Sequence, residues 1–182
     1  MTILFIIFLW SVGLFASPST TVYATFTDVS QRMFPGATVI THNIQLSPET
    51  VSDLESNIGM ALPSQNATIF EYKDGSERVG FSMVTDHIGK HYPITFFVGL
   101  FPDLRIKGIE VMVYREDYGA DVRKRRFLKQ FRGKSQADPM AVNHDITSVS
   151  GATLSSYAIA NGARQVIQTV AAVNKGIPNH ND

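Results

Sequence analysis

The sequence predicts an α+β domain, a twisted antiparallel sheet flanked by helices. Three observations carry that expectation. Between Ala67 and Tyr114 four runs rich in β-branched and aromatic residues, ATIFEY, ERVGFSMV, HYPITFFVGL and RIKGIEVMVY, follow one another over short links. Links of that length join antiparallel neighbours, because a parallel return needs a crossover of a dozen residues or more. Helix signals stand on both sides of this block, and the longest, from about Ser156 to Lys175, places Ala160, Ala163, Ile167 and Val170 on one side.

Taken in order, the chain opens with an apolar run from Thr2 to Ala16. It falls short of the ~20 residues of a membrane span and suits the core of a signal peptide, or a retained anchor. Val22, Tyr23 and Ala24 supply a small-x-small cleavage site, so residues 1–24 are assigned to a leader or anchor, 25–176 to one domain and 177–182 to a frayed tail. TDVSQRMF reads as a short helix that stops before Pro35 and Gly36, and ATVITHNIQL as a strand. Ser47, Pro48 and Glu49 form a helix start: a hydroxyl cap, a proline whose missing N–H costs nothing there, and an acid in the first turn. Lys73, Asp74, Gly75 and Ser76 suit a hairpin turn. Gly119 and Ala120 lead into a basic helix with Val122, Phe127, Leu128 and Phe131 as its buried stripe. Residues 133–149 lack a period and read as a long loop, with ITSV as a short strand within it.

Composition narrows the chemistry. There is no cysteine, which excludes disulfides, thiolate metal sites, cysteine-linked haem and a lipid anchor on cysteine. The five histidines are scattered without metal-ligand spacing, and no GxSxG, GxGxxG or Walker pattern occurs. Sixteen basic residues balance sixteen acidic ones, so there is no global attraction to nucleic acid. The balance is not local: DVRKRRFLKQFRGK holds seven of the sixteen basic residues. That run suits a phosphate, an anionic lipid or an acidic partner, and equally a solvated helix face.

The stretch VSGATLSS concentrates small and hydroxylic residues where the last helix begins. Gly151 and Ala152 allow close backbone approach, the helix start offers unpaired N–H groups, and Ser150, Thr153, Ser155 and Ser156 add hydroxyls, a combination that suits a phosphate. A plainer reading makes Ser155 or Ser156 the helix cap and Gly151 a turn residue.

Ser150, Gly151, Ala152 and Thr153, followed by Leu154, Ser155 and Ser156, resemble the signature of the FMN-binding domain family, which includes flavin-carrying subunits of the sodium-translocating quinone reductase and related respiratory complexes. Upstream, Tyr114, Glu116, Tyr118 and Gly119 are similar to the family's pocket-lining segment, and Arg126, Phe127, Gln130, Phe131 and Gly133 to its next helix. The resemblance implies that FMN is the cofactor and that Thr153 is its phosphoester attachment site, loaded by a flavin transferase. It further implies that Glu116 and Tyr118 touch the ribityl chain or ring and that Arg126 pairs with phosphate. An aspartate common in the family three residues before the tetrapeptide is Thr147 here, with Asp145 two residues further back. The implied role is that of an exported or membrane-associated electron carrier, with a membrane redox protein or an external carrier as partner and no substrate turned over. The alternative is an assembly module without flavin that uses the basic helix to contact a membrane or acidic partner.

Overall fold

The computed structural model describes residues 20–177. The apolar run and the tail from residue 178 lie outside the described residues. Six strands form one antiparallel sheet in the order β1-β6-β5-β4-β3-β2: β1 (Thr21–Val22), β2 (Thr38–Gln45), β3 (Asn66–Asp74), β4 (Glu77–Ile88), β5 (Pro93–Leu100) and β6 (Ile106–Tyr114). The four runs read from the sequence are β3 to β6, and the expected turn closes β3 onto β4 with Gly75 at φ 60°. β1 pairs with β6 through Thr21 opposite Tyr114 and Val22 opposite Val113, so the sheet uses residues upstream of position 25.

The apolar run TFFVGL marks β5 as a strand covered on both faces. Phe96 points into the larger core and Phe97 into the smaller one, and both are fully buried. On the larger face lies α4 (Thr153–Val173), crossing β4 and β5, with α2 (Pro48–Ile58) packed against it. Ser47 caps α2 by accepting from Thr50 N at 3.1 Å, and Gly59 ends it in the left-handed region at φ 77°. No cation occupies the last turn of α2, and Arg164 of α4 takes that place by donating to Ile58 O at 2.7 Å. The opposite face is closed by α1 (Phe26–Met33), opened by a Thr25–Asp28 capping box, and by Phe34, which stacks on Tyr72 at 3.9 Å between centroids. Gly99 and Gly108 leave the sheet flat where Met33 lies.

The single basic helix expected after Gly119 is broken. A 3-10 turn over Ala120–Arg123, the four-residue α3 (Arg125–Leu128) and a 3-10 turn over Lys129–Phe131 run as a strap, with Lys124 extended at ψ 140°. The break falls at Lys124, in the middle of the basic run 123–126, where like charges three and four residues apart would repel across a continuous helix. The expected stripe survives, since Val122, Phe127, Leu128 and Phe131 are buried. The strap contacts β6 and is joined to its start by Ile106 N donating to Lys134 O and Gly133 N donating to Ile106 O. ITSV is not a strand; its Ile146 makes an isolated bridge to Val142.

Buried ionisable groups give the fold a pH dependence of definite sign. Burial pushes the His87 imidazole below its ordinary value near 6.5, against the hydrogen bond that its Nε2 makes to Gln165 Oε1 at 2.6 Å. Glu71 is 1% exposed; burial raises its pKa, but hydrogen bonds from Arg78 and His42 outweigh that and hold it below its usual value of 4.5. The unfolded chain takes up the His87 proton more readily than the folded one, so stability is full above about pH 6.5 and falls as the pH drops below it. Glu71 adds a further loss as the pH falls below 4.5 and through its folded value. The midpoint of thermal unfolding, followed by circular dichroism, is expected to fall between pH 7.5 and 5.5, and His87→Asn to flatten that part of the profile.

Candidate functional site at the mouth of the last helix

α4 begins at Thr153, earlier than the residue periodicity suggests, and no side chain caps it. Its first-turn amides therefore have neither an intrahelical acceptor nor a capping oxygen. Gly151 takes the left-handed conformation at φ 75°, and Ala152 N donates to Val149 O at 2.9 Å, folding the chain back just before the helix. Ser150, Gly151 and Thr153 are exposed, and a Cβ on Gly151 would meet open space.

Ser155 and Ser156 turn inward. The Ser156 hydroxyl donates to Ala152 O at 2.9 Å and accepts from Val149 N at 3.1 Å, which locks the turn from beneath. Tyr114 OH donates to Tyr118 O at 2.7 Å, so across the 3.0 Å contact Ser155 Oγ is the donor to Tyr114. Helical spacing places these serines on the face that also buries Ile159 and Ala160, so the outward hydroxyls at the mouth belong to Ser150 and Thr153. Burial raises the Tyr114 phenol above its ordinary value, only partly offset by the Ser155 bond, and Tyr114 stays a neutral donor.

The segment after β6 is pressed onto this helix start. Gly119, at φ 91°, has no room for a side chain: a Cβ would stand 2.7 Å from Tyr114 OH and 3.1 Å from Ala152 Cβ. Glu116 is buried and accepts from His91 N at 2.6 Å and Tyr92 N at 3.0 Å. Burial works against its charge, but those amides and that of Lys90 outweigh it and hold the carboxyl below its usual range. Glu116 thus ties the β4–β5 turn to the mouth. Arg126 stands exposed on α3 with no hydrogen bond or ion pair among the described residues. Asp145 is drawn into its own loop by Lys134 at 2.6 Å and Ala141 N at 2.7 Å. Gln130 brackets Thr147, accepting from its N–H at 2.8 Å and donating to its carbonyl at 3.1 Å, and so braces the chain that leads into the mouth.

Of the exposed apolar side chains around the mouth, sequence reasoning singled out Tyr118 alone as a contact for the ring. Tyr118 is 86% exposed and Leu154 53%, with Ile88, Tyr92 and Tyr157 also exposed. All five lie on or next to the segments that Glu116, Tyr114 and Ser155 tie together: the end of β4 and its turn to β5, the chain after β6 and the first two turns of α4. They are far apart in sequence, and the signal that was available is an apolar side chain beside a turn or cap. Two recesses open elsewhere, one at Asp103, Leu104 and Ser135–Ala137 and one beside Arg164, which is about 16 Å down α4 from Thr153.

Residues 89–168 match the FMN-binding domain family. The matched segment runs from the β4–β5 turn well into α4 and contains Glu116, Tyr118, Gly119 and the whole of Ser150–Ser156. FMN is the cofactor that goes with it. NqrC of Shewanella oneidensis, a solved structure, shares the fold with a TM-score of 0.55 and 17% identity, over 83% of this chain and 87% of that one. No curated protein matches the chain. The residues at the mouth of α4 fit such a group. Free first-turn amides and exposed hydroxyls suit a phosphate, and exposed aromatic faces suit a flat ring.

Proposed function

We propose that the protein is an exported or membrane-associated electron carrier whose FMN is joined through its phosphate to Thr153 Oγ1. The observation that carries this reading is an exposed threonine at the first position of an uncapped 21-residue helix whose start is tied to segments carrying exposed apolar side chains. When bound, FMN supplies one- and two-electron redox chemistry. The chain's own groups do the holding. Thr153 anchors, Ser150 and the amides of the first residues of α4 from Thr153 onward receive the phosphate oxygens, and Gly119 with Tyr114 keeps the segment after β6 against the helix. Tyr118, Tyr92 and Leu154 offer apolar surface to the ring, while Glu116 fixes the turn that carries Tyr92. A covalent link suits a carrier outside the cytoplasm, where a dissociated cofactor is lost. The apolar run at Thr2–Ala16 supports a location at the membrane. Among the described residues no helix is long and apolar enough to cross one. A membrane redox protein and an external carrier are the partners this role calls for, with a flavin transferase to load the site.

Intact mass tests the proposal. The full chain produced with a flavin transferase is expected to gain the mass of FMN less one water and to stay yellow after denaturation. A folded, colourless chain of unmodified mass under those conditions would favour the alternative of an assembly module without flavin.

A further inference from the structure

Positive charge is unevenly compensated across the molecule. Arg32, Arg78, Arg105 and Arg115 reach carboxylates, and within the strap Lys124 pairs with Asp121 at 2.8 Å and Lys134 with Asp145 at 2.6 Å. Arg123, Arg125, Arg126, Lys129 and Arg132 have no acidic partner among the described residues, and all are exposed. A chain with zero formal charge has thus placed five cations without an acidic partner on one strap, whereas Lys90, Lys107 and Arg164, also without one, are scattered over the rest of the described residues. Inward, the strap is fixed by its buried residues and by its bonds to β6, so it presents these cations on one outer face.

The position of that face is the second observation. The apolar run Thr2–Ala16 joins the fold at β1, on the same edge of the sheet as β6 and the strap. Arg123 lies over the Tyr23 ring with its guanidinium carbon 4.5 Å from the centroid, which joins the strap to the residue that follows β1. Val22 is 65% exposed beside it, and Tyr23 is partly exposed. An aromatic and an aliphatic side chain flanked by cations, just after an apolar run, is the arrangement met at a membrane–water interface.

We propose that the outer face of the strap, formed by Arg123, Arg125, Arg126 and Lys129, rests on a layer of anionic lipid headgroups where the apolar N-terminal run leaves β1. The charge complementarity and the place where that run joins the sheet together select a bilayer over a soluble acidic partner. The contact is electrostatic and between exposed groups, so salt weakens it. It does not require flavin, and loading at Thr153 is read separately by mass.

The absence of cysteine makes a unique label simple. The full chain carrying a fluorophore at Lys129→Cys is reconstituted in phosphatidylglycerol–phosphatidylcholine vesicles, with a quencher on the headgroups and a reference label at Ser76→Cys in the β3–β4 turn. Quenching at 129 is expected to exceed that at 76 by at least about threefold, because the strap and not the β3–β4 turn faces the headgroups. The excess should shrink in pure phosphatidylcholine, in high salt, and in the Arg125→Glu/Arg126→Glu variant, and be kept by Arg125→Lys/Arg126→Lys. Unchanged circular dichroism controls for folding. Equal quenching at 129 and 76, or quenching indifferent to headgroup charge, overturns the proposal, as does shielding of position 129 by an acidic polypeptide but not by anionic vesicles.

Discussion

Thr153→Ala is expected to abolish flavin that survives denaturation while leaving the fold intact. The side chain is exposed and caps nothing, so its loss falls within the ±0.5 kcal/mol usual for surface positions away from structural features. The effect on attachment is all or none, because alanine has no oxygen to esterify. Ser150 keeps a hydroxyl nearby, which gives the experiment an internal control: Ser150→Ala should retain the mass gain that Thr153→Ala loses. Full covalent flavin in the Thr153 variant, measured by intact mass, would show the assignment to be wrong.

The largest expected loss of stability comes from a glycine inside α4. Gly162 lies against the sheet, where a Cβ would stand against Phe96 Cζ and 2.6 Å from His87 Cδ2. In an exposed helix, glycine to alanine is worth about 1 kcal/mol in favour of alanine. Here the added methyl meets a fully buried ring and an imidazole held by Gln165, and overpacking of that kind costs about 1–3 kcal/mol. The steric term is the larger, so Gly162→Ala is expected to destabilise despite its better propensity, and Gly162→Val by about 3 kcal/mol. Denaturant titration checks this, and an unchanged midpoint for the valine variant would mean that the helix can move off the sheet. Flavin attachment, at the far end of the same helix, would be read independently by mass.

Much of the architecture is local chemistry and was legible for that reason. Ser47, Pro48 and Glu49 carry the chemistry of a helix start, and TFFVGL that of a strand, although its cover on both faces was not read from the sequence. The start of α4 was misread because Ser155 and Ser156 have the composition of caps, whereas their hydroxyls turn inward and the helix opens at Thr153 without one. The basic segment looked like one helix because its apolar spacing is helical, but the charge density that made it conspicuous also works against a continuous helix. Thr153 and its neighbours could be picked out because they are contiguous. The exposed Ile88, Tyr92 and Tyr157 could not, since their segments are brought to the mouth only by the bonds of Glu116, Tyr114 and Ser155. Gly162 gave no sequence signal, because the reason for it is a ring on another strand.

The pairing of Thr21 and Val22 with β6 sets the length of a leash. Between Ala16 and that pair stand Ser17 to Thr20, which span at most about 14 Å when fully extended. With the apolar run held in a bilayer, the sheet edge cannot rise further than that from the surface. Under the proposed role, a redox partner would meet this domain close to the membrane plane, rather than by a long swing into the surrounding solution.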